Sequence, residues 1–163
     1  MYQRYFKLAS LFLILAMIFT LAAACSSSQP TTAPSEGGET GEEVAKPSNP
    51  GGPGEAVNLQ GDATAGAQVY IDSCKECHGD DGKGGVANAG SADGTIPPLN
   101  PIDSTMVNAD PKVFATNIDL FIEHGSTPEG DNPAKTMKAL GDEKKLTPQQ
   151  IADVIAYVIS LNK

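Results

Sequence analysis

The sequence predicts an all-α domain of three main helices joined by long loops. Three capping signals, each followed by apolar residues at helical spacing, carry that reading. The stretches between them are rich in Gly, Pro, Asn and Asp, which supplies the loops. The chain also has no tryptophan. Three short helices without one make a thin core, so a further body must fill the middle of the domain.

The first helix starts after Asp62, a good N-cap, and runs to about Ser73 with Val69, Tyr70 and Ile71 on it. The second has Asp110 as cap and Pro111 at its first position. Val113, Phe114, Ile118, Phe121 and Ile122 recur along it, and Gly125 ends it. In the third, Thr147 caps, Pro148 begins and Gln150 completes a capping box. Ile151, Val154, Ile155 and Val158 then build one apolar stripe.

These helices occupy residues 58–163, the one segment able to fold as a globule. Ahead of them, Arg4 and Lys7 precede the apolar run LASLFLILAMIFTL, and Ala22, Ala23 and Ala24 lead into Cys25. Residues 1–24 therefore read as an export signal. The run is short of the roughly 20 residues of a spanning helix, although an uncleaved marginal anchor is the alternative. LAAAC followed by SSSQP resembles the lipobox of bacterial lipoproteins, with Ala22 where a bulky aliphatic residue is usual. That resemblance implies lipidation of Cys25; plain cleavage near Ala24, leaving a free thiol, is the other possibility. Several acyl chains hold a protein firmly, whereas one gives reversible attachment. Residues 25–57 read as a disordered linker. Residues 26–57 hold five Pro, six Gly, five Ser and three Thr, too little apolar surface to offset chain entropy. A flexible coil of this length spans roughly 30 Å.

The formal net charge is −9, and it becomes more negative once the leader takes Arg4 and Lys7 away. Such a chain is repelled by nucleic acid and drawn to basic patches on protein partners. No DNA or RNA binding is expected.

The chemistry concentrates in CKECH, residues Cys74 to His78. Three occupants are open. Zinc needs four ligands, and this domain has Cys74, Cys77, His78 and the distant His124. A thioredoxin-like redox disulfide belongs in a βαβ context, which the pattern lacks. C-x-x-C-H is also the attachment motif of a c-type haem. One helical turn brings both sulfurs to the vinyl edge of the macrocycle while His78 points at the iron. Two thioethers and one lipidated residue then use all three cysteines.

A haem iron so held takes a sixth ligand, and Met137, Met106 and His124 are available. Met137 is a lone soft side chain in the polar loop HGSTPEGDNPAKTMKAL just before the last helix, which favours it as ligand over packing. Met106 follows a Pro-rich turn and precedes the second helix. His124 fits a solvated cation at a helix C-terminus.

The domain resembles the class I c-type cytochromes over nearly all of residues 61–163. GDATAGAQVYIDSCKECHGDDGKGG is similar to that family's first helix and haem segment. TIPPLNP is similar to its Pro-Pro-Leu turn, and LTPQQIADVIAYVISL to its last helix. The resemblance implies the cytochrome c fold around one covalently bound haem c. It implies that Gly66 and Tyr70 meet Val154 and Tyr157, with the glycine allowing a close crossing. It further implies that the Pro97 carbonyl receives the His78 ring N–H, and that Leu99 packs on the haem face. Lys138 stands where the family often has a proline after the axial Met.

The function so implied is that of an electron carrier, not an enzyme, with iron held by His78 and Met137 and no small-molecule substrate. The expected partners are redox proteins or subunits of a membrane complex with a basic docking surface. The lipid anchor places the protein on the outer face of the cell membrane. An acidic, lipidated mono-haem cytochrome resembles subunits of quinol-oxidising assemblies such as alternative complex III, and the tethered donors of oxidases or photosynthetic reaction centres. The rival is a haem enzyme or gas sensor with an open sixth position, in which His124 alone could serve as distal acid or base.

Overall fold

The computed structural model describes residues 43–130 and 135–163. Cys25, the export signal and most of the expected linker lie outside the described residues.

The expected helices form where their caps place them. Helix α1 (Ala63–Ser73) starts at Asp62, whose carboxylate accepts from the amides of Thr64 at 2.8 Å and Ala65 at 3.4 Å. A single turn, α2 (Lys75–His78), begins after Cys74. Helix α3 (Pro111–His124) is capped by Asp110 and stops at Gly125, at φ 67°. Helix α4 (Pro148–Leu161) carries the full Thr147–Gln150 capping box. Short 3-10 turns cover Glu55–Asn58, Asp80–Gly82 and Ser104–Met106. Among the described residues the only β pairings are isolated bridges, Ala87 with Thr95 and Ser126 with Met137.

The core lies where α1 and α4 cross, the largest helix contact of the domain. A Cβ at Gly66 would overlap the Asp153 carbonyl of α4, so the two backbones approach as only glycine permits. Next to it Tyr70 and Val154 are sealed from solvent. The rings of Tyr70 and Tyr157 pack tilted with centroids 5.2 Å apart. Asp153 stitches the helix ends, its Oδ1 accepting the Asp62 N–H at 2.9 Å and the Gln149 amide at 2.8 Å. Helix α3 adds Phe114, Ile118 and Ile122. Two expected apolar positions face outward instead: Ile71 is 54% and Val113 41% exposed. Each adjoins a buried aromatic, Tyr70 or Phe114, and neighbours in a helix point about 100° apart.

The linker boundary at residue 57 is corrected. Residues 43–57 lie on the domain as a strap held by polar contacts. The Ala45 amide donates to Thr105 Oγ1 at 2.9 Å, the Asn49 side chain to the His124 carbonyl at 2.6 Å, and the Gly54 amide to Asp119 Oδ2 at 2.7 Å. Ala56 is buried at the strap's end. Low apolar content masked this order, because hydrogen bonds to a helix terminus anchor the segment. Pro47, Pro50 and Pro53 lower the entropy lost in fixing it.

His124 is likewise not the solvated cation expected. Its Nδ1 lies 2.8 Å from Asp142 Oδ2 and its Nε2 2.7 Å from the Gly52 carbonyl. Two acceptors require a proton on each nitrogen, and the Asp142 contact, then the Gly52 carbonyl, raises the imidazole pKa. Asp119 is completely buried with Oδ1 unpartnered, and burial raises its pKa.

Two measurements test this packing. Gly66→Ala should lower urea-derived stability by about 1–3 kcal/mol, because the overlap with the Asp153 carbonyl outweighs the gain in helix propensity. The His124 contribution is fully present below the unfolded imidazole pKa of about 6.5 and is lost as pH rises through the higher folded value. Between about pH 6 and pH 8, melting temperature should therefore fall more steeply in the wild type than in His124→Gln.

Candidate functional site

CKECH occupies the turn that α1 hands over to α2. The amides of Cys77 and His78 both donate to the Cys74 carbonyl, at 3.1 and 2.9 Å, and Gly79 closes the turn on Lys75 at 2.9 Å. One helical turn thus carries both sulfurs and the imidazole. The turn is fixed to α1 from inside. The Tyr70 hydroxyl donates to the Gly79 carbonyl at 2.7 Å, and burial pushes the phenol pKa up to about 12, so it remains a donor.

Both thiols are free and half-buried. Burial, then the neighbouring Cys77, pushes Cys74 up to about 11. A redox Cys-x-x-Cys depends on the opposite, a depressed thiol pKa. Zinc fares no better. Among the described residues no three His, Cys, Asp or Glu side chains form a metal cluster, and both His124 nitrogens are engaged elsewhere. That same engagement removes His124 as a sixth ligand and as a distal acid or base.

His78 Nδ1 lies 3.2 Å from the Pro97 carbonyl. A carbonyl only accepts, so the proton sits on Nδ1 and the Nε2 lone pair is left for a metal. Burial lowers the imidazole pKa, which keeps the ring neutral as ligation requires. Pro97 is held by short backbone pairings. Gly84 donates to the His78 carbonyl at 2.7 Å, Gly85 to Ile96 at 3.1 Å, Ile96 to Val86 at 2.7 Å and Leu99 to Gly82 at 2.8 Å. Asn162, the α4 C-cap, then staples the turn: its side chain donates to the Leu99 carbonyl at 2.7 Å and accepts from the Ile102 amide at 2.9 Å.

Met137 is half-buried, and its backbone exchanges two hydrogen bonds with Ser126, at 2.8 and 3.0 Å. Gly125 makes that pairing possible. Its positive φ turns the chain, and a Cβ there would overlap the Met137 carbonyl. Cys74, Leu99 and Met137 all border the same apolar cluster. Met106, by contrast, is 7% exposed inside that cluster and acts as core.

The donor set fits a covalently bound haem. It offers two free thiols on one turn, an imidazole with Nε2 open, and a thioether at the rim of the same apolar body. Sequence reasoning missed Asn88, Asn162 and Ser48, which hold the loops around that set. They carry no periodic signal, and their one sequence mark is an amide or hydroxyl side chain, set among glycines and prolines at Ser48 and Asn88 and at the end of the last helix at Asn162.

The cytochrome c family model matches residues 63–162. The cytochrome c subunits of quinone alcohol dehydrogenases from Gluconacetobacter polyoxogenes and Komagataeibacter europaeus are each 36% identical over 96 residues. The alignment covers 57% of this chain and 18% of each relative. No solved structure matches.

Tyr70→Phe removes the donor to Gly79 while keeping the ring. It should cost about 1 kcal/mol in urea denaturation, with the helical circular dichroism of the folded protein unchanged.

Proposed function

The chain belongs to the cytochrome c family, and on that premise we propose that it is a membrane-tethered, mono-haem carrier of single electrons. Electron transfer is the role of the family; the single haem, the tether and the place of work are our reading. Cys74 and Cys77 would hold the macrocycle through thioethers, and His78 and Met137 would ligate the iron. Leu99 would pack against the macrocycle and Cys25 would carry the lipid. When bound, haem c supplies an iron that cycles between ferrous and ferric states. The observation that carries the reading is the 3.2 Å approach of His78 Nδ1 to the Pro97 carbonyl beside two unpaired thiols. It fixes the ring orientation and makes Nε2 the more basic donor.

The rest of the chain contributes placement. A lipid on Cys25 would make long-range diffusion unnecessary, so we take the domain to work as a subunit of a membrane quinone-linked complex, alternative complex III among the candidates. The relatives' names, cytochrome c subunits of quinone alcohol dehydrogenases, support a subunit role. Net charge −9 suits a basic docking surface on the partner. Lipidation at Cys25 would set the protein on the outer face of the membrane.

Protein matured in cells able to ligate haem should weigh one haem more than its polypeptide and acyl groups. The ferric form should show the weak red sulfur-to-iron absorption, and Met137→Ala should abolish it. A mass equal to polypeptide and lipid alone refutes the proposal. Rapid carbon monoxide binding by the untreated ferrous wild type would indicate an open sixth position instead.

A further inference from the structure

The segment that presents Met137 has little apolar surface of its own, yet two side chains from distant parts of the chain bracket it. On one flank Asn88, 3% exposed, donates its amide to the Lys135 carbonyl at 2.9 Å and accepts the Lys135 N–H at 3.1 Å. A side chain thereby pairs with backbone as a neighbouring strand would, two residues before Met137. On the other flank stands the strap. Ser48 Oγ accepts the Thr127 N–H at 2.7 Å, and the Ser48 amide donates to Ser126 Oγ at 3.1 Å. Ser126 is the residue whose backbone pairs with Met137.

We propose that Ser48 and Asn88 are positioning residues for Met137, a two-sided brace that holds its thioether in place. The inference rests on the reading of Met137 as the axial ligand. Its physical basis is local stability. Segments with few buried apolar contacts open at low free energy, so each hydrogen bond that survives in the closed state lowers the open population severalfold. Partners that orient a metal ligand act on the metal through it. The strap is thus part of the site, since Ser48 within it bonds the residue whose backbone pairs with Met137.

The test uses the full-length, haem-loaded protein. Ser48 is exposed, so Ser48→Ala should fold normally. Amide hydrogen exchange at Ser126, Thr127 and Met137 should then quicken roughly five- to tenfold, with amides in α1 and α4 unchanged. Carbon monoxide binding to the ferrous form, which needs the sixth position vacated, should quicken by a similar factor. Ser48→Thr, which restores the hydroxyl, should bring both rates back. Asn88→Ala should act in the same direction, and the Ser48 pair decides the matter if that variant does not fold. Wild-type rates in Ser48→Ala, or no recovery in Ser48→Thr, overturn the brace. Should Met137→Ala bind carbon monoxide no faster than the wild type, the ligand reading fails. Hydrogen exchange in Ser48→Ala then still decides whether the brace exists.

Discussion

The close crossing of α1 and α4 sets the position of everything chemical in this domain. Gly66 lets the α1 backbone meet the Asp153 carbonyl, and one turn later Tyr70 fills the gap against Tyr157 and Val154. From that buried ring the hydroxyl reaches Gly79, so the turn bearing Cys74, Cys77 and His78 is fixed to the most tightly packed part of the fold. Asp153 completes the joint by accepting from the Asp62 amide at the start of α1. A larger residue at position 66 would move the thiols along with the helix.

Beyond that joint the protein is mostly loop, and hydrogen bonds replace apolar packing as the means of order. Asn162 ties the Pro97–Leu99 turn to the end of α4, and Asn88 ties Lys135 to the loop after CKECH. Amide side chains suit this work because each offers both a donor and an acceptor to a backbone with no strand neighbour. A covalently bound haem would add an apolar body for these loops to pack around. The half-buried Cys74, Leu99 and Met137 are the side chains that would contact it.

Electrostatics at the C-terminus of α3 depends on the strap. Asp119, Glu123 and Asp142 gather near the C-terminus of α3, and burial raises both Asp119 and Glu123 above ordinary carboxyl values. The His124 imidazolium sits among them and bonds Asp142 and the strap carbonyl of Gly52. A helix C-terminus favours a cation there. The sequence makes His124 recognisable as that cation but gives no sign that the strap would cover it.

Local signals determined the helices and the binding turn. Asp62, Asp110 and the Thr147–Gln150 box act within four residues of themselves, so the helix starts were legible, and C-x-x-C-H carries its spacing in the chain. Which apolar residues face inward was less so, as Ile71 and Val113 show, because in each case the adjoining aromatic, Tyr70 or Phe114, takes the inward direction. Tertiary structure alone decided the rest: that residues 43–57 are strap rather than linker, that His124 is committed to Asp142 and Gly52, that Met106 is core, and that Asn88, Ser48 and Asn162 hold the loops. Each of these depends on hydrogen bonds or packing between residues far apart in the chain. Polar partners of that kind leave no periodicity behind, since a single serine or asparagine looks the same in sequence whether it faces water or a distant backbone.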